Sequence, residues 1–187
     1  MGIYSINDFW RICRSVSTES RLQLLWLLFE TGELSVKELA LGSGITESYA
    51  SFQMKVLFSA GLLRFRRQNM RVIYRAEALT EDSLEAELLV ALGQCCEKKV
   101  PFESITRQIT AYTHERRIEI VRLLIDGPLS FKKLIERSGM TSSALSRHLL
   151  KLEARKVVRW DGELYRIVHP KEPLGRTLLK IVSRKDS

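Results

Sequence analysis

The chain of 187 residues is short of the groups on which most catalysis and metal sensing depend. It has three cysteines, Cys13 and the adjacent pair Cys95-Cys96, with no CxxC spacing, so a disulfide framework is not expected. Its three histidines stand apart at 114, 148 and 169. There is no Gly-rich phosphate loop, no HExxH, no nucleophile elbow and no convergent carboxylate pair. The expectation is therefore a protein that is not an enzyme and has no catalytic residues, no cofactor and no bound metal. No run of eighteen apolar residues occurs, which argues against a membrane partner. The start, Met1-Gly2-Ile3-Tyr4, lacks a basic segment followed by an apolar stretch and does not read as a secretory signal, so a cytoplasmic location is expected.

What is present is positive charge, unevenly spread. The formal net charge is +8: residues 1–75 carry +4, residues 76–97 carry −6 and residues 98–187 carry +10. Two basic modules flank an acidic segment. Basic surface attracts polyanions through counterion release, so nucleic acid is the natural class of partner.

The basic modules repeat one another. At an offset of 96, Leu22, Leu24, Leu25, Leu27 and Leu28 fall on Ile118, Ile120, Val121, Leu123 and Leu124. Upstream, Ile6, Phe9, Cys13 and Val16 fall on Phe102, Ile105, Ile109 and Tyr112. After a one-residue gap, ten of the thirty positions from Ser35 to Arg64 are identical to those 95 residues later. The pattern reads as a duplication.

Each copy predicts the same order of elements. A first helix over about 5–16 (102–112 in the second copy) precedes one over about 18–30 (114–126), with apolar residues at i, i+3 and i+4. Gly32 and Gly127-Pro128 stop the second helix. Leu34-Ser35 and Leu129-Ser130 lead into a third helix, Ser43-Gly44 and Ser138-Gly139 make a tight turn, and Thr46 and Thr141 cap a fourth helix running to about 60 and 155. Helix, Gly-containing turn, helix is the helix-turn-helix pattern. Alternating segments then predict hairpins around Gln68-Asn69 and Asp161-Gly162. A helix over about 81–97 joins the modules, and a short helix follows Pro173. The fold class is mainly α with small β-hairpin wings: two tandem winged helix-turn-helix domains over 1–78 and 101–169, an acidic linker or oligomerisation helix over 79–100, and a C-terminal helix and tail over 170–187.

In such a domain the fourth helix enters the major groove of double-stranded DNA. In copy two Ala144, Leu145, Leu149 and Leu152 face the core, while Ser142, Ser143, Ser146, Arg147 and Lys151 face outward and His148 sits at the edge. Hydroxyls suit bases or phosphates, Arg147 can fork onto guanine, and Lys151 suits a phosphate. In copy one the outward set is Glu47, Ser48, Ser51, Phe52 and Lys55, with Arg64, Arg66, Arg67 and Arg71 on the wing. This predicts a division of labour: copy two reads sequence through its helix, and copy one contributes mainly backbone contacts through its wing, its candidate DNA contacts being Ser48, Ser51, Lys55, Arg66, Arg67 and Arg71. The competing expectation is a winged-helix scaffold for other proteins, suggested by Phe52, Trp10 and Trp26.

The run Ser20-Arg21-Leu22, the segment Gly32 to Ala40, Ala60-Gly61-Leu62-Leu63 and the Arg-rich wing resemble ArsR-family winged-helix repressors. Copy two is similar at Arg117, Leu123-Leu124, Leu129-Ser130, Leu134 and, above all, Ser142 to Leu152. The resemblance covers about 6–75 and 102–166, and implies a repressor that works as a dimer and releases DNA on a signal. Here the duplication offers either a homodimer of chains or an intramolecular pseudo-dimer. The third helices, from Leu34 to Leu39 and from Leu129 to Leu134, carry none of the cysteines that metal-sensing members place there. Cys95-Cys96 is the one candidate sensor, and the alternative for that pair is simple burial.

Overall fold

The computed structural model describes residues 8–184; Ile6, counted above on the first helix, lies outside them. From the N-terminal side run α1 (Phe9–Ser15), α2 (Glu19–Thr31), β1 (Leu34–Ser35), α3 (Val36–Ser43), α4 (Glu47–Ser59) and the hairpin β2 (Leu63–Gln68) and β3 (Arg71–Ala76). Then follow α5 (Leu84–Glu97), α6 (Phe102–Ile109), a 3-10 turn (Thr110–Tyr112), α7 (Glu115–Ile125), α8 (Phe131–Ser138), α9 (Ser142–Ala154), the hairpin β4 (Val158–Trp160) and β5 (Tyr165–Ile167), and α10 (Pro173–Val182). The molecule is mainly helical, with two small antiparallel sheets.

Local chemistry places the helix pairs. The Ser35 hydroxyl accepts from the Glu38 amide at 3.3 Å while the Glu38 carboxylate accepts from the Ser35 amide at 2.7 Å, a complete capping box. Ser130 caps α8 from the same place, but Lys133 stands where the returning carboxylate would be, so only half of the box forms. Thr46 and Thr141 each accept from the amide three residues on, at 3.3 Å, and start α4 and α9. Between the paired helices Gly44 (φ 67°) and Gly139 (φ 62°) take the left-handed conformation that lets the chain turn within a few residues.

Both hairpins differ from expectation. In the first, Gln68 pairs with Arg71, so the two-residue turn is Asn69-Met70, one residue later than predicted, with both residues at positive φ. In the second, Trp160 pairs with Tyr165, leaving a four-residue loop from Asp161 to Leu164. The Asp161 carboxylate causes this by accepting from the amides of Glu163 (3.1 Å) and Leu164 (2.8 Å), which takes those donors away from a tight two-residue turn. The third strand of the first sheet, β1, is represented in the second by a single bridge between Leu129 and Tyr165.

The apolar faces of both halves run into one core. α1 packs on the 3-10 turn, α2 on α5 and α6, and α10 on α5, α6 and α7. Trp26 of α2 meets Phe102 of α6 edge-on at 5.2 Å, so this tryptophan, read above as suited to a protein partner, joins the halves internally. Helix α5 begins at Leu84 under the Ser83 cap, later than expected, and its Leu88, Leu92 and Cys95 are buried. It is a core element rather than a free linker. Cys96 is buried as well, and burial raises the pKa of both neighbouring thiols, so neither is poised to react.

Candidate nucleic-acid interface

On α9 the helical period sorts the side chains as its leucines require. Leu145, Leu149 and Leu152 are buried, and this turns Ser142, Ser143, Arg147 and Lys151 to solvent, with Ser146 half-buried. The first turn presents Ser142 and Ser143 at the positive end of the helix, and no carboxylate occurs on α9 before Glu153. Lys132, Lys133 and Arg137 of α8 are also exposed on the first helix of this pair. They were not singled out from the sequence, although their place on a helix that packs on α9 was a usable signal.

His148 is a correction. It is only 8 % exposed, because it follows Leu145 and precedes Leu152 on the buried stripe. Its ring lies 4.7 Å from that of His114, and its Nδ1 has no hydrogen-bond partner. Burial, then the nearby His114, Arg117, Arg147 and Lys151, lower its pKa to about 4. The imidazole is thus neutral near pH 7 and does not form part of the exposed cationic face.

One of these neighbours is a buried guanidinium. Arg117 is 6 % exposed, donates from Nη2 to the Thr113 hydroxyl at 2.7 Å, and has no partner for Nε. Burial and the neighbouring Arg155 lower its pKa to about 10. Arg155 in turn donates to the Thr110 hydroxyl at 2.9 Å and to the Lys151 carbonyl at 3.0 Å. The second hairpin is less acidic in effect than Asp161 suggested. That carboxylate is engaged by Arg166 and two amides, which hold its pKa down at about 2.

In the other helix pair, Ser48 and Lys55 of α4 are exposed, Ser51 is half-buried, and Phe52 is 60 % exposed. A groove of about 550 Å³ between this pair and the hairpin tip brings Ser48 and Ser51 together with Arg71, and adds Lys37 and Glu47. Arg66 is not free for it. Its guanidinium holds Glu33 (2.7 and 3.0 Å) and the Gln68 side chain (2.6 Å), and this pairing lowers the Glu33 pKa. Arg64 donates to the Leu79 carbonyl at 2.7 Å and pairs with Glu77. Among the described residues Arg67 and Arg71 form no salt bridge, and both are exposed.

No group of three or more His, Cys, Asp or Glu that could hold a metal occurs among the described residues, and no helix there is long and apolar enough to cross a membrane.

Residues 114–159 match the family model of the bacterial regulatory protein arsR family, a span that holds α7, α8, α9 and most of β4. This segment is an ArsR-family helix-turn-helix, which supports a DNA-binding regulator of transcription. Among solved structures, the chain is similar to a homodimeric winged helix-turn-helix DNA-binding domain from Mycobacterium bovis, described as a possible ArsR-family transcriptional regulator. That match has 27 % identity over 54 % of this chain and 94 % of the other, with a TM-score of 0.42. A second similarity is to human N-acetylserotonin methyltransferase, with 16 % identity over 84 % of this chain and 45 % of the other, and a TM-score of 0.34.

Proposed function

We propose that the chain is a sequence-specific double-stranded DNA-binding repressor, without catalytic activity, built from two tandem winged helix-turn-helix units. The observation that carries this reading is the face of α9. Ser142, Ser143, Arg147 and Lys151 stand exposed together, without a carboxylate among them, inside the segment that matches the arsR family. A solvated helix face with no ligand usually mixes charges of both signs. Hydroxyls beside one guanidinium at a helix N-terminus suit base edges and phosphates.

In this reading α9 reads sequence in the major groove, while the first unit holds the backbone through Ser48, Ser51, Lys55 and the exposed wing cations Arg67 and Arg71, which form no salt bridge among the described residues. Arg66 contributes less, because binding a phosphate would first have to displace Glu33. The shared core supports a pseudo-dimer within one chain, which would meet two successive stretches of groove. The test is binding of purified protein to the DNA upstream of its own gene and to scrambled DNA. A preference for the native fragment that is reduced by Arg147→Ala supports the reading, and equal binding to both fragments contradicts it.

The exposed aromatics of the first unit favour a second reading, a scaffold for another protein. Phe52, Phe58 and Phe65 are 60, 41 and 46 % exposed, and Phe58 meets Phe65 at 5.2 Å. A scaffold has no need of α9's serines and arginine. The scaffold reading therefore predicts that Arg147→Ala leaves every measurable interaction unchanged.

A further inference from the structure

A cleft of about 700 Å³ opens between the end of α7, strand β5 and α10, and no residue of α8 or α9 lines it. Its walls are apolar, from Leu124, Ile167 and Leu179 among others, and three cations, Arg166, Arg176 and Lys180, reach it. Among the described residues no carboxylate lines it. Arg166 is balanced from outside the cleft by Asp161, whereas Lys180 lies 3.7 Å from Glu87, a carboxylate that Arg184 also holds. Arg176 differs. It donates to the Lys171 carbonyl at 2.6 Å and forms no salt bridge among the described residues. The cleft thus combines hydrocarbon walls with positive charge that is only partly compensated, part of it on the planar fork of donors of Arg176.

We propose that this cleft binds a small apolar monocarboxylate, its hydrocarbon body against Leu124, Ile167 and Leu179 and its carboxylate on Arg176. The volume falls within the range of small-molecule sites, which run from about 300 to 1,000 Å³. A guanidinium pairs with a carboxylate through two parallel hydrogen bonds, a geometry that ammonium groups do not offer. The hydrocarbon walls favour an occupant with an apolar body over a bare phosphate, and a cation meets only like charge. The site bears on the hairpin, because β5 supplies Arg166 and Ile167 to the cleft while pairing with β4. An occupant would brace that strand against α10. The binding site itself does not rest on the DNA reading, and its test uses no DNA.

The test is isothermal titration of the full chain with octanoate and with 2-naphthoate, beside the uncharged octanamide and 2-naphthamide. The expected result is one carboxylate bound per chain at least tenfold more tightly than its amide, with the difference erased in Arg176→Ala while the melting temperature is kept. A charge-assisted pair removed from a partly dry site supports a change of that size. Equal affinity for acid and amide, acid binding unaffected by Arg176→Ala, or no binding of any of the four compounds would each overturn the proposal.

Discussion

Arg21 and Arg117 stand 96 residues apart at matching places in the sequence, and their partners differ. Arg21 donates to the Gln53 side chain at 2.8 Å and to the carbonyls of Ser15 and Arg14. At the position matching Gln53, 95 residues later, is His148, which accepts nothing from Arg117 and leaves Nδ1 unpartnered. The amide is a permanent acceptor, whereas the imidazole can gain a proton beside His114, Arg117, Arg147 and Lys151. Its folded pKa of about 4 lies below the unfolded value near 6.5, so the unfolded state binds the proton first. Stability should be full above about pH 6.5 and fall as pH drops through that window toward 4, by up to about 3 kcal/mol. Denaturant melts of the wild type and His148→Gln at pH 7 and pH 4.5 check this: the variant should lose clearly less stability on acidification. For Arg147→Ala we expect a loss of about 10–100-fold on the preferred DNA, with relaxed discrimination at one base pair, since a bidentate contact to guanine is worth about 1–3 kcal/mol. Anisotropy titrations on single-base variants of the bound fragment would read this.

At the scale of elements, α4 and α9 share caps, length and buried stripe but present different faces. The hairpins that follow differ likewise: among the described residues Arg67 and Arg71 of the first form no salt bridge, while Asp161 and Arg166 of the second pair with each other. If the first wing grips the backbone, Arg67→Ala with Arg71→Ala should weaken binding to all sequences alike and lower the salt slope by about 2, roughly one unit per lost phosphate contact. Arg66→Ala should do less, because Glu33 already holds that side chain. Helix α5 carries a different cost. Glu85 is 1 % exposed, and neither carboxylate oxygen has a partner, so Glu85→Leu should raise the melting temperature, by an amount corresponding to about 1–3 kcal/mol. The order of helices was legible in the sequence because capping residues, left-handed glycines and apolar periodicity are local signals. The outward face of α9 was legible for the same reason. Contacts made across the chain were not, such as Arg66 with Glu33, 33 residues apart, or Trp26 with Phe102. Turn details also escaped, since the Asp161 side chain competes for the very amides a tight turn would use. The burial of His148 was readable in principle from its spacing to Leu145 and Leu152.

On the scale of the whole molecule, the halves are joined through α1, α2, α5, α6 and α10 into one apolar core. A chain built this way should unfold as a unit. Leu92→Ala, at a fully buried position on α5, should shift a single calorimetric transition by about 2–5 kcal/mol rather than split it into two. One continuous core also fixes the two helix pairs relative to each other, which a pseudo-dimer on DNA requires. The central claim, that α9 and the first wing together make a DNA-reading surface, is tested most directly by titrating the protein across salt on its own upstream DNA and on scrambled DNA. The account predicts preference for the native fragment at physiological salt, together with a steep decline of affinity as salt rises. Weak and equal binding to both fragments that vanishes near physiological salt would contradict it, since only the net positive charge would then be acting.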